Sequence, residues 1–295
     1  MQKIQKKIYK NGLRVITIPM KDNPTVTVLV LVATGSDYEE KNVNGISHFL
    51  EHMCFKGTEK RPNPRIISHE LDALGCQSNA FTGNEYTGYY AKGDAKKFSK
   101  IFDIISDVYL NSTFPENEIK KEKGVIIEEI NMYEDMPASH VSDIYIELLY
   151  KDQPAGRSTL GKKENILNMT RKDFVDYRNA HYVANDTVVI IAGNVTTSEV
   201  TKEVNKYFKN IPEKKSTKKK KVKDIQKKPE VQIQYKKTDQ THFILGVRTF
   251  SMFDKRNTTL ALLAGILGMG MSSRLFVKLR EEMGVAYYVR ANNQA

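Results

Sequence analysis

Two cysteines are all the chain has, Cys54 and Cys76. That excludes a disulfide framework and any CxxC metal pair, and it fits a reducing compartment or an indifferent one. A metal held here must therefore use histidine and carboxylate. Long apolar runs are missing as well. The longest, VTVLVLVA at 26–33, is β-branched and far short of the roughly 18 residues a spanning helix requires. The opening residues, MQKIQKKIYKNGLRVITI, place lysines at 3, 6, 7 and 10 and pass directly into an alternating strand pattern at 13–18, without the apolar stretch of a secretory signal. These absences predict a soluble, cytoplasmic protein with no membrane partner.

Acidic charge is also in short supply, and the net charge is +11. The excess is not spread evenly. Residues 213–228, EKKSTKKKKVKDIQKK, hold nine lysines against Glu213 and Asp224, and so supply +7 of it. No aromatic side chain interleaves these lysines, so a base-stacking surface is absent, and the run reads as a solvated linker with no nucleic-acid partner.

What is present is an ordered succession of patterns. With 295 residues, about two domains are expected. Hairpin-like strands, GLRVITIPM then TVTVLVLVATGS, lead to a histidine-bearing helix within 45–57, a second helix near 64–74 and a strand pair around SNAFTGNEYTGYYAKG. Helical periodicity follows at 95–110, 116–134, 137–150 and 171–181; the strand DTVVIIAGNV and the helix TTSEVTKEVNKYFKN close the unit. This order predicts an α+β domain over 1–208, with a sheet layered on helices, a lysine-rich linker over 209–230 and a second unit over 231–295. In the latter, VQIQYKKT and THFILGVRTF read as strands and 257–267 as a helix, repeating the opening order. The second unit is much shorter than the first and is expected to be incomplete.

The chemistry concentrates in GISHFLEHMCFKG, residues 45–57. On a helix, His48 and His52 stand one above the other and Glu51 borders them. HxxEH is the inverted form of the HExxH zinc motif, and a catalytic zinc typically takes three protein ligands with a further position for water. A five-residue motif arises by chance often enough that a third ligand is needed. Glu122 and Glu129 in ENEIKKEKGVIIEEINMYEDM are seven apart and share a helical face, whereas Glu128, the rival to Glu129, is turned about 100° aside. Ile126, Ile127 and Ile130 pack around them, and carboxylates on a half-buried face call for a cation. His69, His140, His181 and His242 have no ligand spacing and read as structural or surface groups; Cys54 reads as a small core residue.

His48, Glu51 and His52, then 69 residues to Glu122 and six more to Glu129, resemble the inverzincin signature of the pitrilysin/insulinase family, which includes the mitochondrial processing peptidase. The stretches NGLRVITIPM, GSDYEEKNVNGISHFLEHMCFKGT, NAFTGNEYT, LGKKENILNMTRKDFVDYRNAHYVANDTVVIIAGNV and SSRLFVKLREEMGVAYYV are similar to that family too, so the resemblance covers nearly the whole chain.

The resemblance implies a zinc endopeptidase of extended or unfolded peptides, with repeated two-layer α+β units, one Zn²⁺ per chain bound by His48, His52 and Glu129, Glu51 as general base and Glu122 as an accessory carboxylate. It implies that 79–82, with Asn79 and Ala80, form the edge strand to which substrate adds by backbone pairing. Arg280 and Tyr287, seven apart, match the pair that holds substrate in the companion domain. Enzymes of this family close two halves around a chamber, which implies a homodimer or a heterodimer with a related subunit. The other reading is a non-catalytic peptide-binding or scaffold subunit of the same fold; such subunits typically depart from the zinc motif, which is intact here.

Overall fold

The computed structural model describes residues 4–214 and 218–293. Its backbone divides into two compact units between Ile244 and Leu245. In chain order the first holds β1 (Gln5–Ile8), β2 (Arg14–Pro19), β3 (Thr25–Val32), α1 (Ile46–Cys54), α2 (Pro64–Ala73), β4 (Gln77–Thr82), β5 (Thr87–Asp94), α3 (Phe98–Leu110), α4 (Glu116–Glu134), α5 (Pro137–Tyr150), α6 (Lys163–Asn168), α7 (Arg171–His181), β6 (Thr187–Gly193) and α8 (Thr197–Tyr207). The strands form a single sheet, packed on helices, which is the predicted α+β class.

β3 shows why the sheet forms. Val26, Val28, Val30 and Val32 are fully buried, and the residues between them are half-buried, the period of two that a strand with one core face requires. Ile101, Phe102, Ile105 and Val108 of α3 are buried against that core. Each such side chain contributes about 1.5–3 kcal/mol of transfer free energy.

Strand order is β1, β2, β6, β3, β5, β4. This corrects the hairpin expected from the first two patterns: β6 lies between β2 and β3, parallel to β2 and antiparallel to β3. Local alternation marks a residue run as a strand but does not choose its neighbours. TVVIIAG is apolar along its length and is buried best in the middle of a sheet, although it arrives more than 150 residues later. At the other end, among the described residues, β4 pairs with β5 alone and is an edge strand.

Of the expected linker, residues 215–217 lie outside the described residues. Lys219 pairs with Asp37 (3.6 Å) and Glu85, and Lys220 with Glu40 (2.8 Å), so this stretch lies on an acidic surface of the first unit. The second unit contains α9 (Asn257–Gly268) and a seven-residue π-helical segment, Phe276–Glu282. The strands expected at 231–238 and 241–250 are a further correction: these residues are irregular and largely exposed. They have strand-like side chains but, among the described residues, no ladder partner, and a strand pair by itself is marginal in water.

Among the described residues no helix is long and apolar enough to cross a membrane.

Candidate metal centre

α1 is short, and its ends are fixed by contacts rather than by propensity. Its N-cap, Gly45, takes φ +98°, and a side chain there would collide with Leu160 O and Gly161 Cα. Below it sits Glu39, 1% exposed. Its Oε2 accepts from Gly45 N (2.7 Å) and Asn44 Nδ2 (2.8 Å), and its Oε1 from Ser47 N (2.8 Å). An anion at a helix N-terminus satisfies otherwise orphaned N–H groups and meets the positive end of the dipole. Burial pushes the Glu39 carboxyl up, and the N–H and hydroxyl donors around it oppose the shift. The hydroxyl of Tyr177 on α7 bridges Ser47 Oγ (2.7 Å) and Thr34 Oγ1 (2.9 Å), tying the same turn to the sheet. Glu39→Gln turns one acceptor into a donor facing buried donors; a loss of about 1–3 kcal/mol is expected, read as a lower urea midpoint.

So anchored, α1 presents His48, Glu51 and His52 to α4 and β4. Their rings lie edge to face, His48 to His52, with centroids 4.6 Å apart. Both Nε2 atoms face Glu129 Oε2 on α4, at 3.6 Å from His48 and 3.8 Å from His52. Among the described residues, these three form the one group of histidine, cysteine and carboxylate side chains with ligand atoms close enough to hold a metal ion. Glu128 is exposed and its Oε1 accepts from Asn131, outside that group.

The fit to zinc can be argued from these distances. Separations of 3.6–3.8 Å are too long for hydrogen bonds. Ligand atoms about 2.0–2.1 Å from a tetrahedral ion lie about 3.3 Å apart, and the three here lie within 4.8 Å of one another, so a closure of at most about 1.5 Å would bring all three onto one cation. Burial, and then the neighbouring His52, lower the His48 pKa to about 4, so its ring is neutral and ready to donate a lone pair near neutral pH. Among the described residues its Nδ1 is buried without a partner. Two neutral imidazoles and one carboxylate are a donor set suited to zinc.

Around this cluster, Glu122 Oε1 accepts from His52 Nδ1 (2.9 Å), and Glu122 Oε2 pairs with Lys56 Nζ (2.6 Å). Burial opposes ionisation of Glu122, but the hydrogen bonds from His52 and Lys56 outweigh it and hold its carboxyl below the usual range. Glu51 is pushed up by burial, against the hydrogen bond donated by Thr82 Oγ1 to its Oε2. Thr82 ends β4, on the same side of the strand as Ala80. A cavity of about 220 Å³ is lined by Glu51, His52, Phe55, Lys56, Asn79, Ala80 and Glu122, so the edge strand and the carboxylates share one space. A larger groove of about 540 Å³, lined by Lys92, Asp94 and Lys96 among others, contains none of these groups.

Asn79 is exposed and its Oδ1 accepts from Ala80 N (2.9 Å). Arg280 and Tyr287 belong to the second unit: Arg280 Nη1 donates to Tyr287 O (2.6 Å) and its guanidinium lies 4.8 Å from the Tyr287 ring. Lys56 and Glu39 escape the sequence reading, as does the contact that Thr82, in the expected edge strand 79–82, makes with Glu51. Lys56 had a signal, since it stands four residues after His52; Thr82 had one in its parity with Ala80; Glu39 had none.

Comparisons with known proteins agree with this geometry. Residues 14–163 match the family described as insulinase (peptidase family M16), and 168–295 match the peptidase M16 inactive domain. A relative named an uncharacterized zinc protease, YmxG of Bacillus subtilis, is 38% identical over 288 residues, covering 95% of this chain and 68% of its own. One from Rickettsia bellii with a similar name is 37% identical, covering 96% and 68%. Among solved structures, a protease from Helicobacter pylori superposes with a TM-score of 0.82 at 24% identity, over 100% of this chain and 72% of its own; pitrilysin does so with 0.69 at 20%, over 76% and 24%. At such identities the structures speak for the fold alone. With a family match across half of the chain and relatives more than a third identical along nearly all of it, the chain belongs to the insulinase family of peptidases, M16.

Proposed function

We propose that the chain is a zinc-dependent endopeptidase of extended or unfolded peptides, with one zinc held by His48, His52 and Glu129. The observation that carries this reading is the convergence of those three ligand groups, with Glu51 and the β4 edge beside them. When bound, zinc supplies Lewis acidity, polarising a carbonyl and making water acidic enough to lose a proton near neutral pH.

The chain's own groups do the rest. An extended peptide adds to the open side of β4 at Asn79 and Ala80 by backbone hydrogen bonds, which are largely blind to side chains. Glu51 is the general base. Thr82 holds its Oε2, and among the described residues Oε1 has no hydrogen bond, so that oxygen takes the proton from water and returns it to the leaving amine. Glu122 orients His52. Arg280 and Tyr287 hold substrate from a companion half, with a homodimer or a related subunit completing the chamber.

A second reading, a non-catalytic peptide-binding subunit, is favoured by the match of 168–295 to a domain described as inactive. Metal analysis with cleavage of an unfolded peptide separates the two. The wild-type chain is expected to hold about one zinc and to cleave, and Glu129→Gln to lose metal and cleavage together. Zinc binding without cleavage, also after adding candidate partner subunits, would establish the second reading.

A further inference from the structure

Three carboxylates converge near the histidines, and only one of them, Glu129, belongs to the ligand cluster. Glu122 is the most buried of the three, with its side chain 6% exposed, and sits two turns before Glu129 on α4. A carboxylate so buried is costly to keep charged unless both oxygens are engaged. They are: one accepts from His52 Nδ1 and the other meets Lys56 Nζ.

The direction of that hydrogen bond matters. An ionised carboxylate only accepts, so His52 Nδ1 carries the ring proton and Nε2 is left as a lone pair facing Glu129 Oε2. The geometry that sets the tautomer therefore depends on where the Glu122 carboxylate is held. Its other anchor comes from the far side: Lys56 follows α1 directly, its backbone N donates to Met53 O (3.1 Å), and its side chain, 24% exposed, turns into the cavity rather than out to solvent.

From this we infer that Lys56 is a positioning residue of the metal centre: through Glu122 it fixes the tautomer and ring orientation of His52, without touching the metal. The inference rests on the reading of His48, His52 and Glu129 as ligands. Lys56 also balances charge. With zinc bound, the three carboxylates, the ion and Lys56 sum to zero; without Lys56 the site carries a net negative charge and Glu122 loses the partner that keeps its second oxygen satisfied.

The test is a cycle of metal affinities, measured by competition with a chelator on the whole chain, for wild type, Lys56→Met, Glu122→Gln and the double variant. Outer partners of metal-bound histidines typically change metal affinity by 10–100-fold. Lys56→Met is expected to weaken zinc about tenfold, Glu122→Gln by 10-fold or more, and the double variant no further than Glu122→Gln, because the lysine acts through the glutamate. Lys56→Arg is expected to restore most of the affinity. The cobalt(II)-substituted proteins add a readout that a general loss of stability does not move: the visible spectrum of Lys56→Met shifts from that of wild type, and that of Lys56→Arg does not.

Wild-type affinity and spectrum in Lys56→Met would overturn the inference while leaving the ligand reading intact. Fully additive losses would overturn it too, since Lys56 would then act independently of Glu122. A wild-type chain that binds no metal would overturn the ligand reading itself, and the inference with it.

Discussion

Replacing Glu51 with glutamine is expected to lower kcat by about a hundred- to ten-thousandfold while zinc content and KM change little. The substitution is nearly isosteric. The amide oxygen still accepts from Thr82, so the side chain stays where Thr82 holds it, but the amide nitrogen that replaces the free oxygen has no lone pair basic enough to take the proton. Glu51 stands outside the ligand cluster, so metal binding should survive. The contrast with Glu129→Gln is what gives the experiment its force: one variant keeps the ion and loses turnover, and the other loses both. The assay is metal analysis and steady-state cleavage of an unfolded peptide on the same samples. If Glu51→Gln cleaves at the wild-type rate with full metal, Glu51 is not the base, and Glu122, the other carboxylate on the cavity, becomes the group to test.

His48, Glu51 and His52 were legible because helical spacing is local, and Glu122 and Glu129 because seven residues return a helix nearly to the same face. The structure brings His48, His52 and Glu129 together. What escaped depends on separation along the chain. The place of β6 between β2 and β3 pairs residues about 170 positions apart, such as Val15 with Val189, and no periodicity carries that information. The contact of Thr82 with Glu51 required knowing that β4 runs beside α1. Glu39 reads as one of two neighbouring acidic residues in SDYEEK; that it is buried under a helix end while Glu40 is exposed is decided by the loop's path. The segment 231–250 failed in the other direction, since its β-branched and aromatic residues suit a strand but strands need partners.

The helix that carries the motif also has a second anchor, beyond its C-terminal end, and the largest stability effect is expected there. Arg61, in the loop between α1 and α2, is 2% exposed. Its Nη1 donates to Asp107 (2.7 Å), its Nη2 to Asp103 (2.7 Å) and Glu70 (2.8 Å), and its Nε to Glu70 (3.0 Å). Thr58 Oγ1 donates to the same Asp107 oxygen (2.6 Å) and accepts from Arg61 N (2.8 Å), which closes the loop on itself. One guanidinium thus joins α2 and α3 to the end of α1. An intact buried network is weak evidence for stability, because desolvating the ions offsets their attraction, but removing one partner leaves the others buried without compensation. Arg61→Met keeps most of the volume and removes the cation from Asp107, itself 3% exposed, leaving it only the hydrogen bonds from Thr58 and Asn111. A loss of about 3–5 kcal/mol is expected. Arg61→Lys should recover only part of it, since one ammonium cannot reproduce a planar fork that reaches three carboxylates. Urea denaturation of the three proteins measures this, and zinc affinity shows whether the loss reaches the metal centre. His52 lies nine residues from Arg61, and a loosened loop frees the C-terminal turn of α1 on which it stands, so the destabilised variant should also bind zinc more weakly. A stable Arg61→Met with unchanged zinc affinity would mean that the three carboxylates find protons or other donors, and that the loop is held by its backbone contacts alone.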